Sequence, residues 1–446
     1  MKHDCLVIGG GLAGLTAGIR CAEAGLKVAV ISAGECALTF ASGSLDVLGR
    51  VPGQGAVRRP FEAIDTLAAE RPEHPYSRLG GEAVAQAMGW FHGQMAEAGL
   101  ALGRAEEQGE NQWRMTAAGA LRPTYYSQPA VQPLGWEMFQ SPDMAPKKIV
   151  FVNITGFLDF MPELAARNLK QHPSLKEATV EHMNITLPLE HGHGATADTM
   201  RAPQLAYAMG NKDMDILSRV MAERIQQADL VVLPACFDPD LGSEEQGSTR
   251  LQQLRMRTGL NIIDVAALPP SVHGLRMHQA LRNRFRALGG FLVPGTQAGH
   301  GMVKGNRVIS VSTGEDLLFA DHFILASGSF FSRGLDSKKH EPSQPCEVKE
   351  PVFGLDLYGL PENNLDFSSR RFLAAEGQSF TRCGVALNEQ GNPSMNGLAL
   401  KNLHVAGAVL GGYDPVQECS GGGVAISTGW EAAQQVINQV KKESAQ

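Results

Sequence analysis

The sequence predicts an α/β fold of the Rossmann-like kind, interrupted by an inserted α+β region, and three observations predict it. The first is length. At 446 residues the chain exceeds the ~250–300 at which a single core stops growing, so it divides into two or more lobes. The second is a glycine-rich turn, Gly9-Gly10-Gly11-Leu12-Ala13-Gly14, set between an apolar strand and an apolar helix. The third is the glycine surplus itself. Its 50 residues follow no three-residue period, which excludes collagen and predicts many tight turns or close backbone approaches.

Taken in order, Cys5 to Ile8 is apolar and β-prone, Gly9 to Gly14 is a turn, and Leu15 to Ala24 is a helix of small apolar residues closed by Gly25. Lys27 to Ser32 follows as a second buried strand, completing a βαβ unit of about 30 residues. The stretch from about 52 to 140 has no clean period and reads as loops of a substrate-facing lobe. Lys148 to Asn153 and Asp229 to Leu233 are buried strands of a second sheet. Pro269, Pro270 and Ser271 start a helix whose apolar residues Met277, Leu281, Phe285 and Leu288 recur at helical spacing until Gly289. A small meander then leads to the strand His322–Ala326. Leu403–Ala406 is a last strand, and a helix runs from about 423 to 440.

Composition narrows the function. Against 46 acidic residues stand 39 Lys and Arg, a net charge of -7, so no basic footprint points to nucleic acid. The 7 cysteines include no CxxC and no Cys/His metal spacing, so neither structural zinc nor an iron–sulfur cluster is expected and no metal ligands are assigned. The odd count, with Cys5 and Cys21 in a strand and a helix, fits a reduced cytosolic chain. The N-terminus carries no signal-peptide pattern, and no apolar run approaches the ~18–20 residues of a membrane-spanning helix.

The glycine turn matches GxGxxG in its proper context. Gly9 permits the tight turn, Gly11 lets backbone N–H groups reach a phosphate, and Gly14 lets the helix press on the strand. A dinucleotide usually also needs a carboxylate at the end of the second strand. Here Ser32 stands there, with Glu35 three residues on. Either Glu35 reaches back, or Ser32 bonds alone, or the cofactor lacks an adenosine half. Ser42, Gly43 and Ser44 could lay hydroxyls and backbone donors on a phosphate or a flat ring, or be an ordinary turn. Gly328 and Gly407 follow apolar strands where backbone could lie close to a ring. Gly421, Gly422 and Gly423 open the last helix with free N–H groups.

These segments, VIGGGLAGL, ASGSLDVL, ALPPSVHGLR, HFILASGSFF, VAGAVLGGYDP and SGGGVAIS, resemble the B subunits of anaerobic glycerol-3-phosphate dehydrogenases, flavoproteins of the glutathione-reductase-type Rossmann fold. The resemblance runs from the first strand to the last helix. It implies a flavin, with FMN preferred in agreement with Ser32 and FAD the alternative. It also implies oxidation of sn-glycerol 3-phosphate to dihydroxyacetone phosphate. The partners it implies are a catalytic A-type flavoprotein and an iron–sulfur, membrane-anchoring protein that passes electrons to quinone. The chain would then lie in the cytoplasm, peripheral to the inner membrane through those partners. Residues 1–50, about 270–340 and 395–446 are expected to form the flavin-binding domain, and about 51–269 with 341–394 the inserted substrate, cap and subunit-contact region.

Oxidising a secondary alcohol phosphate needs a base for the hydroxyl proton and cations for the phosphate. Arg122 and Arg276 are the candidate phosphate ligands and His273 the candidate base; each could instead be a structural or exposed residue. His404 and Cys419 read as packing. Arg282, Arg284 and Arg286, with Arg276, fall on the polar face of their helix and read as a solvated surface. A stand-alone flavin dehydrogenase or oxidase, and a non-catalytic electron-relay protein, are the competing functions.

Overall fold

The computed structural model describes residues 2–444 except 106, 108, 133, 243–248, 315, 339–346, 364, 372, 373 and 375. In chain order its principal elements begin with β1 (Lys2–Ile8), α1 (Leu12–Glu23), β2 (Val28–Ser32), α2 (Pro60–Glu70) and α3 (Gly80–Glu97). Next come β3 (Gln112–Met115), β4 (Leu121–Thr124), β5 (Lys148–Ile154), α4 (Pro162–Leu169), β6 (Thr179–Ile185), α5 (Asn211–Arg224) and β7 (Leu230–Pro234). Then follow α6 (Arg250–Thr258), β8 (Ile262–Val265), α7 (Val272–Ala287), β9 (Phe291–Pro294), β10 (Gly301–Lys304), β11 (Arg307–Thr313) and β12 (Asp316–Leu325). The last are β13 (Leu403–Val405) and α8 (Gly421–Ser444).

The chain forms two compact units, one of residues 1–37, 46–98 and 281–446, the other of 38–45 and 99–280. These boundaries differ from the flavin-binding and inserted regions that the sequence suggests. Residues 51–98 and 347–394 fall with the first unit, and 38–45 and 270–280 with the second. The reason for 51–98 is visible in α3, where Val84, Ala87, Met88, Phe91 and Met95 are buried at helical spacing. Gly89 and Gly93, both facing open space, dilute that pattern in the sequence and hide the helix.

In the first unit, β9, β2, β1, β12 and β13 form a parallel sheet in that order, and β11 and β10 extend it antiparallel from β12. One face buries Leu6, Ile8, Ala29, Ile31, Phe323, Leu325 and Val405 in a common core. Strands buried on both faces read as continuous apolar runs, which is why VAVIS and HFIL stand out in the sequence. Helix α1 packs against α8, and a Cβ on Gly429 would stand 2.5 Å from the Ala13 carbonyl oxygen, so the two helices meet at backbone distance.

The second unit holds an all-parallel sheet in the order β6-β5-β7-β8. The chain leaves β5 toward β6, then crosses back to β7 on the other side of β5. That reversal creates a switch point, and the loops at the carboxyl ends of β5 and β7 are where such sheets place functional residues.

A buried ionic cluster shapes the segment that leads into α8. The Glu418 side chain is fully buried and accepts from Arg71 Nη1 at 3.0 Å, pairs with His74 Nε2 at 3.0 Å, and accepts from Ser420 Oγ at 3.1 Å. Its backbone carbonyl accepts from Gly49 and Arg50 N–H, each at 2.9 Å. The next residue, Cys419, is buried at φ +50°, a conformation uncommon for a side chain with Cβ and sustained by this surrounding network. Replacing Glu418 with Ala strands the fully buried His74 and takes the carboxylate from the partly exposed Arg71. Urea unfolding of Glu418→Ala is expected to show a loss of about 3–5 kcal/mol.

Candidate functional site

The glycine turn of the first unit has the geometry of an anion cradle. Gly9 has φ +118° and a Cβ there would overlap the Ala326 carbonyl, so the turn lies against the end of β12. A Cβ on Gly14 would overlap the Gly9 carbonyl oxygen. Helix α1 therefore begins at Leu12, three residues earlier than the sequence suggests, because Gly14 is a helical residue pressed on the strand. Gly11 caps the helix without any side-chain bond, and the first turn carries no acidic residue. The Leu15 N–H, bonded to Gly11 O at 2.9 Å, opens the intrahelical ladder, so the N–H groups before it are left for a ligand. Space before Gly11 is open, its nearest neighbour being Cys36 Cβ at 3.8 Å from an added Cβ. Free N–H groups, a helix dipole and room at Gly11 fit the phosphate of a flavin nucleotide.

The other glycines of this unit divide by role. Gly328 has φ +85° and abuts Ser332, in the turn that leaves β12. A Cβ on Gly407 would stand 2.6 Å from Ala13 Cβ, so its close approach is to α1, and its N–H is taken by Thr428 Oγ1 at 2.9 Å. Gly423 N–H goes to Asp46 O at 2.8 Å, and the residue packs on Val47. Gly421 and Gly422 are the partly exposed residues of that helix start. Gly10 makes room for Ser32, whose Cβ lies 2.7 Å from an added Cβ. The Ser32 hydroxyl donates to Gly34 O at 3.1 Å, and Glu35 is exposed.

The second unit gathers the candidate base. His273, in the first turn of α7, and Asp264, on β8, are each 1% exposed and meet with Nε2 2.7 Å from Oδ1. The His273 Nδ1 atom is buried with no hydrogen-bond partner among the described residues. Gly43, at φ +79°, packs on the imidazole, and a Cβ there would stand 2.6 Å from His273 Cβ. Gln128 ties the two: its N–H donates to Gly43 O at 2.9 Å and its Nε2 to His273 O at 2.8 Å. The Ser44 hydroxyl, a cofactor ligand on the sequence reading, is buried against the Ser127 hydroxyl at 3.2 Å; Ser42 stays partly exposed. Asp264 and Gln128 escape sequence reasoning. A carboxylate inside the apolar run IIDV is the one signal of Asp264, since a charge in a buried strand is costly unless it is held by a partner.

The arginines occupy different elements. Arg276 lies one turn beyond His273 on α7, donates Nη1 to Asp238 O at 3.3 Å, and keeps a buried Nε without acceptor among the described residues. Burial pushes the Asp238 carboxyl up, against the opposing pull of the Arg250 N–H and the Arg276 charge. Arg122 is half-buried on β4, directly across from Arg114 on β3. The solvated face expected of the α7 arginines is corrected for Arg276 and Arg282, whose Nε atoms are buried, and for Arg284, whose Nε donates to Gln94 Oε1 at 2.8 Å and which pairs with Glu97; Arg286 is exposed as expected. His404 is buried as expected, and bonds Gln435 and Gln439 through both ring nitrogens. Among the described residues no group of three or more His, Cys, Asp or Glu is placed to hold a metal, and no helix is long and apolar enough to cross a membrane.

Residues 4–424 match the FAD binding domain family. The B subunit of the anaerobic glycerol-3-phosphate dehydrogenase of Vibrio vulnificus strain YJ016 is 36% identical, over 98% of this chain and 97% of that one. The chain belongs to this family of B subunits. The B subunit of Yersinia enterocolitica is likewise 36% identical over 99% of each chain, and that of Aliivibrio fischeri strain MJ11 is 34% identical over 99% of this chain and 96% of its own. As a member of the family the protein is a flavin-dependent oxidoreductase with an α/β Rossmann-like fold, and the family name places its members in an assembly with other subunits. The flavin phosphate would be held by the α1 N-terminus.

The close packing of Gly9 on Ala326 gives a direct test of the cradle. Gly9→Ala is expected to lower the flavin-to-protein absorbance ratio of the purified protein several-fold, since an L-side chain cannot take that φ against Ala326.

Proposed function

We propose that the chain is a flavin-carrying subunit that oxidises sn-glycerol 3-phosphate to dihydroxyacetone phosphate within an anaerobic respiratory complex. The observation that carries this reading is the identity of 34–36% over nearly the whole chain with proteins named for that activity. Beside it stand a glycine turn shaped for a phosphate at α1 and a buried histidine with one nitrogen unclaimed among the described residues. A catalytic A-type flavoprotein and an iron–sulfur, membrane-anchoring protein are the proposed partners, with electrons leaving to quinone and the complex peripheral at the cytoplasmic face of the inner membrane.

The chemistry assigns each group a task. A flavin held at the α1 N-terminus would supply the two-electron acceptor for the hydride at C2 of the substrate. His273 Nδ1 accepts the proton of the C2 hydroxyl, so that the C–O bond closes to a carbonyl. Arg276, whose Nε is unclaimed among the described residues, and Arg122 supply positive charge for the phosphate dianion; the planar guanidinium matches its geometry. The chain as a whole is acidic, so phosphate capture rests on placed arginines and not on a general field. Ser32, with its hydroxyl given to Gly34, stands where a dinucleotide site usually has a carboxylate and supports FMN over FAD; the exposed Glu35 is the group that an adenosine ribose would have to use.

In the purified complex, anaerobic addition of glycerol 3-phosphate is expected to bleach the flavin absorbance of this protein; absence of bleaching would sink the reading. Mass spectrometry of the released cofactor is expected to give the mass of FMN, and FAD would overturn the Ser32 argument. Arg276→Ala is expected to raise KM for glycerol 3-phosphate by about 10- to 100-fold, the scale of one lost charge-assisted hydrogen bond, with flavin content unchanged.

A further inference from the structure

We infer that Asp264 is a positioning residue that fixes the tautomer and orientation of His273, so that Nδ1 is the atom that receives the substrate proton. This rests on the reading of His273 as the proton acceptor, and the geometry that carries it lies wholly within the second unit. A carboxylate can only accept a hydrogen bond, so the 2.7 Å contact of Asp264 Oδ1 with Nε2 places the ring proton on Nε2. In the neutral imidazole Nδ1 is then a lone pair. It is buried and finds no donor among the described residues, although buried polar atoms nearly always have partners, and an exception calls for a ligand or a water. A substrate hydroxyl is such a donor.

The surroundings hold this arrangement in place. Asp264 sits on β8, its own N–H bonded to Ala130 O at 3.1 Å, so the carboxylate is carried by a rigid strand. Gly43 closes on the ring, and Gln128, 1% exposed, locks the His273 carbonyl. Rotation of the imidazole to exchange its nitrogens would have to break the Asp264 bond in a packed interior. When Nδ1 gains the proton, the imidazolium keeps its Nε2–H on the Asp264 carboxylate, which stabilises the charge without itself being protonated. The same logic holds a histidine base in place wherever a carboxylate grips its far nitrogen.

The test uses the full-length protein in its flavin-loaded complex. Asp264→Asn, which keeps the shape but offers an amide donor, is expected to reverse the His273 tautomer, read by ¹⁵N chemical shifts of labelled histidine assigned with His273→Asn. It is also expected to lower kcat by about 10²- to 10⁴-fold with KM and flavin content little changed, and Asp264→Glu should recover part of the rate. In the His273→Asn background, Asp264→Asn should cost almost nothing further, because it acts through the missing ring. An unchanged tautomer in Asp264→Asn, or losses that multiply in the double variant, would overturn the inference and leave Asp264 a structural residue. Failure of glycerol 3-phosphate to reduce the wild-type flavin would instead remove the substrate reading, while the tautomer measurement still decides whether Asp264 sets the histidine.

Discussion

The contact on which the start of the first unit depends is that of Gly14 with the Gly9 carbonyl. With no side chain between them, the first turn of α1 lies directly on the end of β1, and the space at Gly11 is open, the nearest neighbour of an added Cβ being Cys36 Cβ at 3.8 Å. Everything else in the cradle follows from that distance. Gly9 meets Ala326 at the end of β12, Gly10 admits Ser32 at the end of β2, and Gly429 brings α8 against Ala13. A methyl group at any of these places would separate elements whose backbone proximity makes the site.

The second unit solves a different problem, that of carrying ionisable groups in a dry interior. Asp264, His273 and Asp238 are all nearly fully buried, and an interior charge is tolerable only when held by partners. The unit meets this by placing them beyond or near the carboxyl ends of parallel strands, where loops and helix starts supply N–H groups. Asp238 accepts from the Arg250 N–H at 3.1 Å, and Asp264 holds His273. The result is a set of polar groups held in fixed orientations by their partners. Glu418 does the equivalent in the first unit, organising the approach to α8 through Arg71, His74 and Ser420.

Particular elements show where sequence reasoning succeeds. The strands VAVIS, KIVFVN and LVVLP are legible because burial on both faces leaves no polar alternation to confuse them, and α7 because Met277, Leu281 and Phe285 keep a helical step. Helix α3 is not, since its glycines and polar residues blur the period that only packing restores. Among site residues, the GxGxxG turn is legible down to single positions. His273 stands out by chemistry alone, whereas Asp264 and Gln128, apart from it in the chain, join it only once β8 and residues 127–128 are brought alongside α7. Ser44 and Gly407 look equally suited to a cofactor, yet their polar groups are spent on Ser127 and Thr428.

The sequence by itself determined the βαβ unit with its glycine turn, the α/β class and the family, because these rest on local patterns: strand composition, helix starts and the absence of Cβ atoms at fixed spacing. Tertiary structure alone decided which polar groups are occupied and which remain free. Whether a serine bonds another serine, whether a histidine nitrogen is claimed by a carboxylate, and whether an arginine is solvated depend on how separate segments are brought together. No local pattern encodes those distances, and it is they that set the chemistry.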